Sequence, residues 1–220
     1  MKSPQSLPLS TPLPLPNGAV IPNRVAKASM EENMADAGQV PGPAIRALYA
    51  AWAAGGAGLI LTGNVVELSG GSYEAPAMQG RSADGRTLAR EAYFLEFAKD
   101  LAAVAAMPVM TTGGIRRRAV AEQVLAGGVA MVGVATALAL RPELPAAWFS
   151  GKDLDATPTP VTWKDKGMAG LANMALIKRR LRAVAAGQGA PRAYSPLFTL
   201  IADQVRTKGL VKRYRQWAGR

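Results

Sequence analysis

Apolar positions along the chain form short runs and longer stretches of helical period, separated by glycine-rich turns. Residues 24–30 predict a strand ending in small and polar residues. Residues 44–54 predict a helix, because Ile45, Leu48, Tyr49 and Trp52 recur at helical spacing and form one core-packing face. Gly55-Gly56-Ala57-Gly58 stops that helix, and residues 59–63 predict a buried strand. Residues 64–71 also have strand character but follow with no intervening helix, which parallel neighbours require. Residues 59–69 are therefore one long strand, or two strands that are not parallel neighbours. Residues 73–85 read as loop, and 87–105 as an amphipathic helix carrying Tyr93, Phe94 and Phe97. Pro108-Val109-Met110 is too short for a helix and suits a buried strand. Gly113-Gly114 then turns the chain into a helix over 119–125, closed by Gly127-Gly128, and a second strand follows over 130–135. A short helix is expected over 141–149, and two basic amphipathic helices over 166–186 and 196–217. At the start, 1–16 is a Pro-rich extended lead-in, Pro16-Asn17-Gly18 a turn, and Ala19-Val20-Ile21 one arm of a hairpin.

The repeated strand–Gly–helix grammar predicts an α/β fold. Strands near 25–30, 59–69, 108–112 and 130–135 are too few to close an eight-stranded barrel, which takes about 250 residues. The expected organisation is a lead-in over 1–16, a partial barrel over 17–151, and a linker with basic C-terminal helices over 152–220.

Composition narrows the chemistry. The 220 residues include no Cys and no His, which excludes disulfides, thiolate metal sites, His-ligated metals and any His-based catalytic pair. Acid–base work would fall to Tyr, Lys, Asp or Glu. The net charge of +11 is concentrated in residues 161–220, which hold 13 basic and 2 acidic residues. No apolar run reaches the length of a membrane span, and the N-terminal segment lacks a signal-peptide apolar core, so a cytoplasmic protein is expected. The Gly113-Gly114 turn feeding a helix N-terminus offers backbone N–H groups to an anion; a plain turn in which Gly relieves crowding is the alternative. Arg116, Arg117 and Arg118 either assist such an anion or form a solvated basic face.

Six stretches in order carry a family resemblance: LPNGAVIPNRVAKASMEENMAD, YAAWAAGGAGLILTGNV, VELSGGSYEAPAM, REAYFLEFAKDL, MPVMTTGGIRRRA and MVGVATALAL. Across roughly residues 13–150 they resemble the Old Yellow Enzyme family, the NADH:flavin oxidoreductase / NADH oxidase group. The resemblance implies an FMN-binding TIM (β/α)8 barrel, here incomplete with about four βα units and a C-terminal helical tail. It implies hydride transfer from NAD(P)H through FMN to an activated alkene or another small-molecule acceptor. It places Ala28, Ser29 and Met30 along the flavin ring and Gly63 near it. It places Gly113, Gly114, Gly133, Ala135 and Thr136 around the FMN phosphate.

Departures from the family pattern are localised. The third to fifth barrel strands have no counterpart, and the join falls near Asn64-Val65-Val66, where two strands meet without a crossover. The family's flavin-contacting Gln and Arg, its acceptor-binding His-His or His-Asn pair and the Tyr that often donates a proton belong to that part. Thr136 stands where the family has a phosphate-contacting Arg, and a hydroxyl does not replace a bidentate cation. No catalytic acid is assigned; Tyr73 lies in a loop after a barrel strand, with loop packing as its alternative role. Two other functions stay open: an inactive remnant of the family, and binding through the basic tail. Nucleic acid is not expected as the partner, and a homo-oligomer covering open sheet edges is one expected assembly.

Overall fold

The computed structural model describes residues 8–30, 32–36, 40–62, 91–92, 95–154, 156–189 and 193–219. The chain divides into two compact units, Met1–Glu31 with Trp52–Pro158, and Glu32–Ala51 with Thr159–Arg220.

The first unit is mixed α/β. Strands β1 (Leu13–Pro14) and β2 (Val20–Ile21) pair antiparallel as a hairpin. Its turn uses Gly18 at φ 86°, a backbone region that glycine enters without steric cost. The Asn17 Oδ1 accepts the Ala19 N–H at 3.1 Å, which holds that turn. Four further strands form a wholly parallel sheet: β3 (Val25–Lys27), β4 (Leu59–Ile60), β5 (Met110–Thr111) and β6 (Met131–Val134), in the order β4-β3-β6-β5. Ala26 lies opposite Leu59 on one side and Gly133 on the other. Both central strands are buried along their length, as the continuous apolar runs of a two-sided parallel sheet require. Leu13, Ala26 and Met131 form a core cluster against which Ile21, Leu59 and Met110 pack. Helix α2 (Leu95–Val104) packs on β5, and α3 (Arg118–Ala126) on β6.

Stepping from β3 to β4, and again from β5 to β6, the chain moves the same way along the sheet. The first strand of the sheet therefore lies between its second and its last.

The N-terminal end of this sheet is tied by side chains. Arg24 is buried and donates to Thr11 Oγ1 at 3.2 Å, the Pro12 carbonyl at 3.1 Å and the Ala130 carbonyl at 3.0 Å. Desolvation lowers its pKa, and the three acceptors compensate part of that burial. Asn23 donates to the Gly56 carbonyl at 2.9 Å and accepts the Val25 N–H at 3.0 Å, fixing the entry to β3 against the turn before β4.

Several elements are shorter than the apolar runs predict. Among the described residues, the ladder continues past β3 through Ala28 N–H to Val134 O and Leu61 N–H to Lys27 O, both at 3.0 Å. Ser29 and Met30, expected as strand, have left it. The helix expected over 87–105 is present as α2; residues 87–90 and 93–94, the strand expected over 64–71, and Gly63 and Tyr73 lie outside the described residues. The short helix expected over 141–149 is α5 (Leu144–Phe149), and a further helix, α4 (Thr136–Leu140), precedes it where none was expected. Pro142 explains the break. It pushes the residue before it out of helical conformation, and Arg141 sits at φ −134°, ψ 85°.

The second unit is helical. Helix α1 (Pro43–Ala54) contributes its residues as far as Ala51. Within this unit the Tyr49 hydroxyl donates to Glu32 Oε1 at 2.9 Å. Helices α6 (Lys166–Ala185) and α7 (Pro196–Ala218) pack together, with bounds within a residue of those expected. Asp165 caps α6 by accepting the Met168 N–H at 2.9 Å, and Pro196 opens α7 where its missing N–H costs nothing. Ala172, Ala175 and Leu200 make the core of this unit, with Val161 and Trp163 against them. Asp203 is buried within reach of Lys178 and Arg182, each at 3.6 Å. Arg179 stacks 3.8 Å from the Tyr194 ring centroid and donates to Thr199 Oγ1. Among the described residues, no helix is long and apolar enough to cross a membrane.

Candidate functional site

All four strands of a parallel sheet end at the same edge, and that edge is where ligands of α/β folds bind. Ala28, Ser29 and Met30 follow β3, Gly113 and Gly114 follow β5, and Ala135 and Thr136 follow β6. The sheet thus collects these residues from segments about a hundred positions apart. Ala28 is joined to the β6 end directly, its N–H bonding to the Val134 carbonyl. Ala28 and Gly113 are buried, Ser29, Met30 and Ala135 partly so, and Gly114 and Thr136 are exposed. Gly63 lies outside the described residues.

Gly133 belongs to β6 rather than to the strand-end loops. A side chain there would meet Thr112 Cγ2 at 2.5 Å, so its glycine is required by the close approach of the residue following β5.

The turn after β5 has the conformation its residues imply. Gly113 at φ 129° and Gly114 at φ 69° both occupy backbone space that favours glycine. The helix that follows already holds an anion of its own. Glu91, with its side chain 1% exposed, accepts the N–H groups of Arg116 at 3.4 Å and Arg117 at 3.3 Å. Its carboxylate also pairs with Arg116 Nε at 3.0 Å and Arg117 Nε at 2.9 Å. Helix α3 has no cap from its own N-cap side chain, and Glu91 supplies the negative charge that its N-terminus favours. Arg118 pairs with Glu122 one turn on, at 2.7 Å. Arg116, Arg117 and Arg118 are therefore all engaged by carboxylates, while Arg117 stays exposed and the other two partly so, as on a solvated basic face. Nothing local in the sequence signals this, since Glu91 and its partners are some 25 positions apart.

Beneath the same sheet edge lies a second group that residue patterns do not single out. Lys27 closes β3 and is fully buried. Its Nζ donates to the Leu61 carbonyl at 3.0 Å and sits 4.6 Å from the Trp52 ring centroid, a cation–π contact strengthened by desolvation. The Trp52 Nε1 donates in turn to the Leu138 carbonyl at 3.1 Å. A lysine inside the apolar run Val25-Ala26-Lys27-Ala28 is the one sequence signal for this group. The chain from Lys27 through Trp52 to Leu138 links the end of β3 to the helix that follows β6.

No family model matches the chain. Two curated proteins are similar over part of it, both named NADH-dependent flavin oxidoreductase iliE. The protein from Hypocrea jecorina (strain QM6a) is 48% identical over 56 residues, covering 26% of this chain and 14% of the relative. The protein from Neonectria sp. (strain DH2) is 37% identical over 89 residues, covering 36% of this chain and 12% of the relative. The similarity thus spans about a seventh or less of either relative, and links part of this chain to proteins named as flavin oxidoreductases.

Proposed function

We propose that the chain is a flavin-dependent oxidoreductase of the NADH:flavin oxidoreductase / Old Yellow Enzyme type. In this reading it binds FMN across the C-terminal ends of β3, β5 and β6, and its sheet is part of an incomplete (β/α)8 barrel. The observation that carries the reading is the convergence of residues 28–30, 113–114 and 135–136 at one end of one parallel sheet. The strand order supports it. The β3-to-β4 and β5-to-β6 connections step the same way along the sheet, as successive units of a barrel do. The partial similarity to proteins named NADH-dependent flavin oxidoreductase supports the chemistry.

The residues fit the cofactor unevenly. Small side chains at Ala28 and Ser29 leave room for a flat ring beside β3. The left-handed Gly113-Gly114 turn and the exposed Thr136 hydroxyl suit a phosphate held by neutral donors. The three arginines nearest that turn share two carboxylates, Glu91 and Glu122, so each guanidinium is already paired although one positive charge stays in excess. Phosphate binding is then weaker than where a free guanidinium takes part. When bound, FMN supplies hydride acceptance from NAD(P)H and delivery to the acceptor, while the chain positions and shields it.

Titrating the purified chain with FMN tests this, with flavin fluorescence as the readout and anaerobic addition of NADH as the second step. Bound flavin that NADH bleaches is the expected result. A chain that leaves FMN free overturns the proposal. Flavin that binds and is not bleached points to a chain that keeps the cofactor without turnover. Thr136→Arg restores a cation to that end and is expected to tighten FMN binding at least about fivefold, measured in the same titration.

A further inference from the structure

Helix α7 uses one face twice. In its first turns that face, through Thr199, Leu200 and Asp203, is buried. From Gln204 onward every residue to Gly219 is exposed except Leu210, which is partly so. The face continues nonetheless. At about 100° per residue, Leu210, Val211, Tyr214 and Trp217 share an arc of about 120° centred on the line of the buried residues. Val211, Tyr214 and Trp217 are 43%, 51% and 44% exposed. The helix therefore carries an apolar stripe past the point where its own unit covers it.

The charges around that stripe are one-signed. Residues 204–220 hold six cations, Arg206, Lys208, Lys212, Arg213, Arg215 and Arg220, and no acid. Arg206 and Arg213 border one side of the stripe, Lys208 and Arg215 the other. Their long apolar stems can lie along the stripe while their charges reach outward. An anionic occupant is required by this charge, and an apolar interior to that occupant by the stripe. We infer that the C-terminal half of α7 binds an anionic membrane surface, lying in the plane of the interface with Leu210, Val211, Tyr214 and Trp217 turned into the lipid.

Two features favour lipid over nucleic acid. Leu210 and Val211 are aliphatic, and a phosphodiester backbone offers them nothing to bury against. Tyr214 and Trp217 pack on one another, with centroids 5.8 Å apart and planes tilted by 39°, rather than standing apart as stacking platforms. Amphipathic ring systems of this kind settle at headgroup depth. The inference is independent of FMN, since it concerns the helical unit alone.

The test is co-sedimentation of the full chain with vesicles at near-physiological salt. One set is phosphatidylcholine alone, the other an equal mixture of phosphatidylcholine and phosphatidylserine. Binding to the mixed vesicles, weak binding to the neutral ones, and release at high salt are expected. Tyr214→Ser with Trp217→Ser, and separately Lys208→Glu with Lys212→Glu and Arg215→Glu, are each expected to lower the bound fraction at least about tenfold. These positions are exposed, so far-ultraviolet circular dichroism should stay unchanged. Phe198→Ser, an exposed apolar residue on the opposite face of α7, should leave binding intact. Equal binding to both vesicle types, failure to sediment with the mixed vesicles, or retention of a short RNA in place of vesicles overturns the inference. So does a helix-mediated dimer of this chain that the same substitutions dissolve.

Discussion

Replacing Glu91 by Gln would remove the charge on which two guanidinium groups and two backbone N–H groups converge. The neutral amide keeps one acceptor, so the loss is expected to be about 1.5–3 kcal/mol, the range for hydrogen bonds to charged groups. Chemical denaturation measures it, and an unchanged midpoint would show that solvent already carries this cluster. Gly133→Ala should cost about 1–3 kcal/mol through the clash with Thr112 Cγ2. Thr112→Ser removes that methyl, and the double variant should recover most of the loss. Tyr49 gives a pH dependence. Burial first, then its hydrogen bond to Glu32 and the Glu32 charge, hold its phenol well above the usual range. The unfolded chain releases this proton near pH 10 while the folded chain retains it, so folding stability falls as pH rises past 10. Tyr49→Phe should show a shallower loss in urea titrations above that pH. At this scale the sequence was partly legible: the Gly113-Gly114 turn is visible as two glycines in a row. Glu91's role was not, because a pairing across 25 residues leaves no local pattern.

Elements followed their punctuation. Helices α6 and α7 start within a residue of the bounds expected from the chain, at an Asp165 cap and at Pro196, and an Asp165→Ala variant should lose about 0.5–2 kcal/mol of stability from the freed Met168 N–H. Thermal melts followed at the helical signal check this; an unshifted melt would mean another group takes the N–H. Strands were legible as apolar runs but not in length, because a strand extends only as far as a neighbour pairs with it. Two-residue β4 and β5 set the limit for the whole sheet. The boundary between α4 and α5 is written in the chain at Pro142, whereas α4 itself follows β6 with no stop signal that sets it apart from the strand.

For the whole molecule, the parallel order β4-β3-β6-β5 could not be read from apolar runs, which give strands without their neighbours. Among the described residues the sheet stops at β4 and β5, and a second copy covering those edges is proposed to lift the solution mass above the 23.0 kDa of one chain. Light scattering decides this, and a monomer of native-like stability would rule it out. The clamp that Arg24 makes at the opposite end of the sheet has a kinetic meaning as well. It joins the β1–β2 hairpin to β6 through three bonds, so the amide of Val132, bonded to the Arg24 carbonyl, sits in the slowest-opening part of the unit. Its hydrogen exchange should track global unfolding, whereas the amides of 113–117 should exchange through local openings. That outcome would mean a protein that opens first at the end carrying the Gly113-Gly114 turn and last at the end that Arg24 ties.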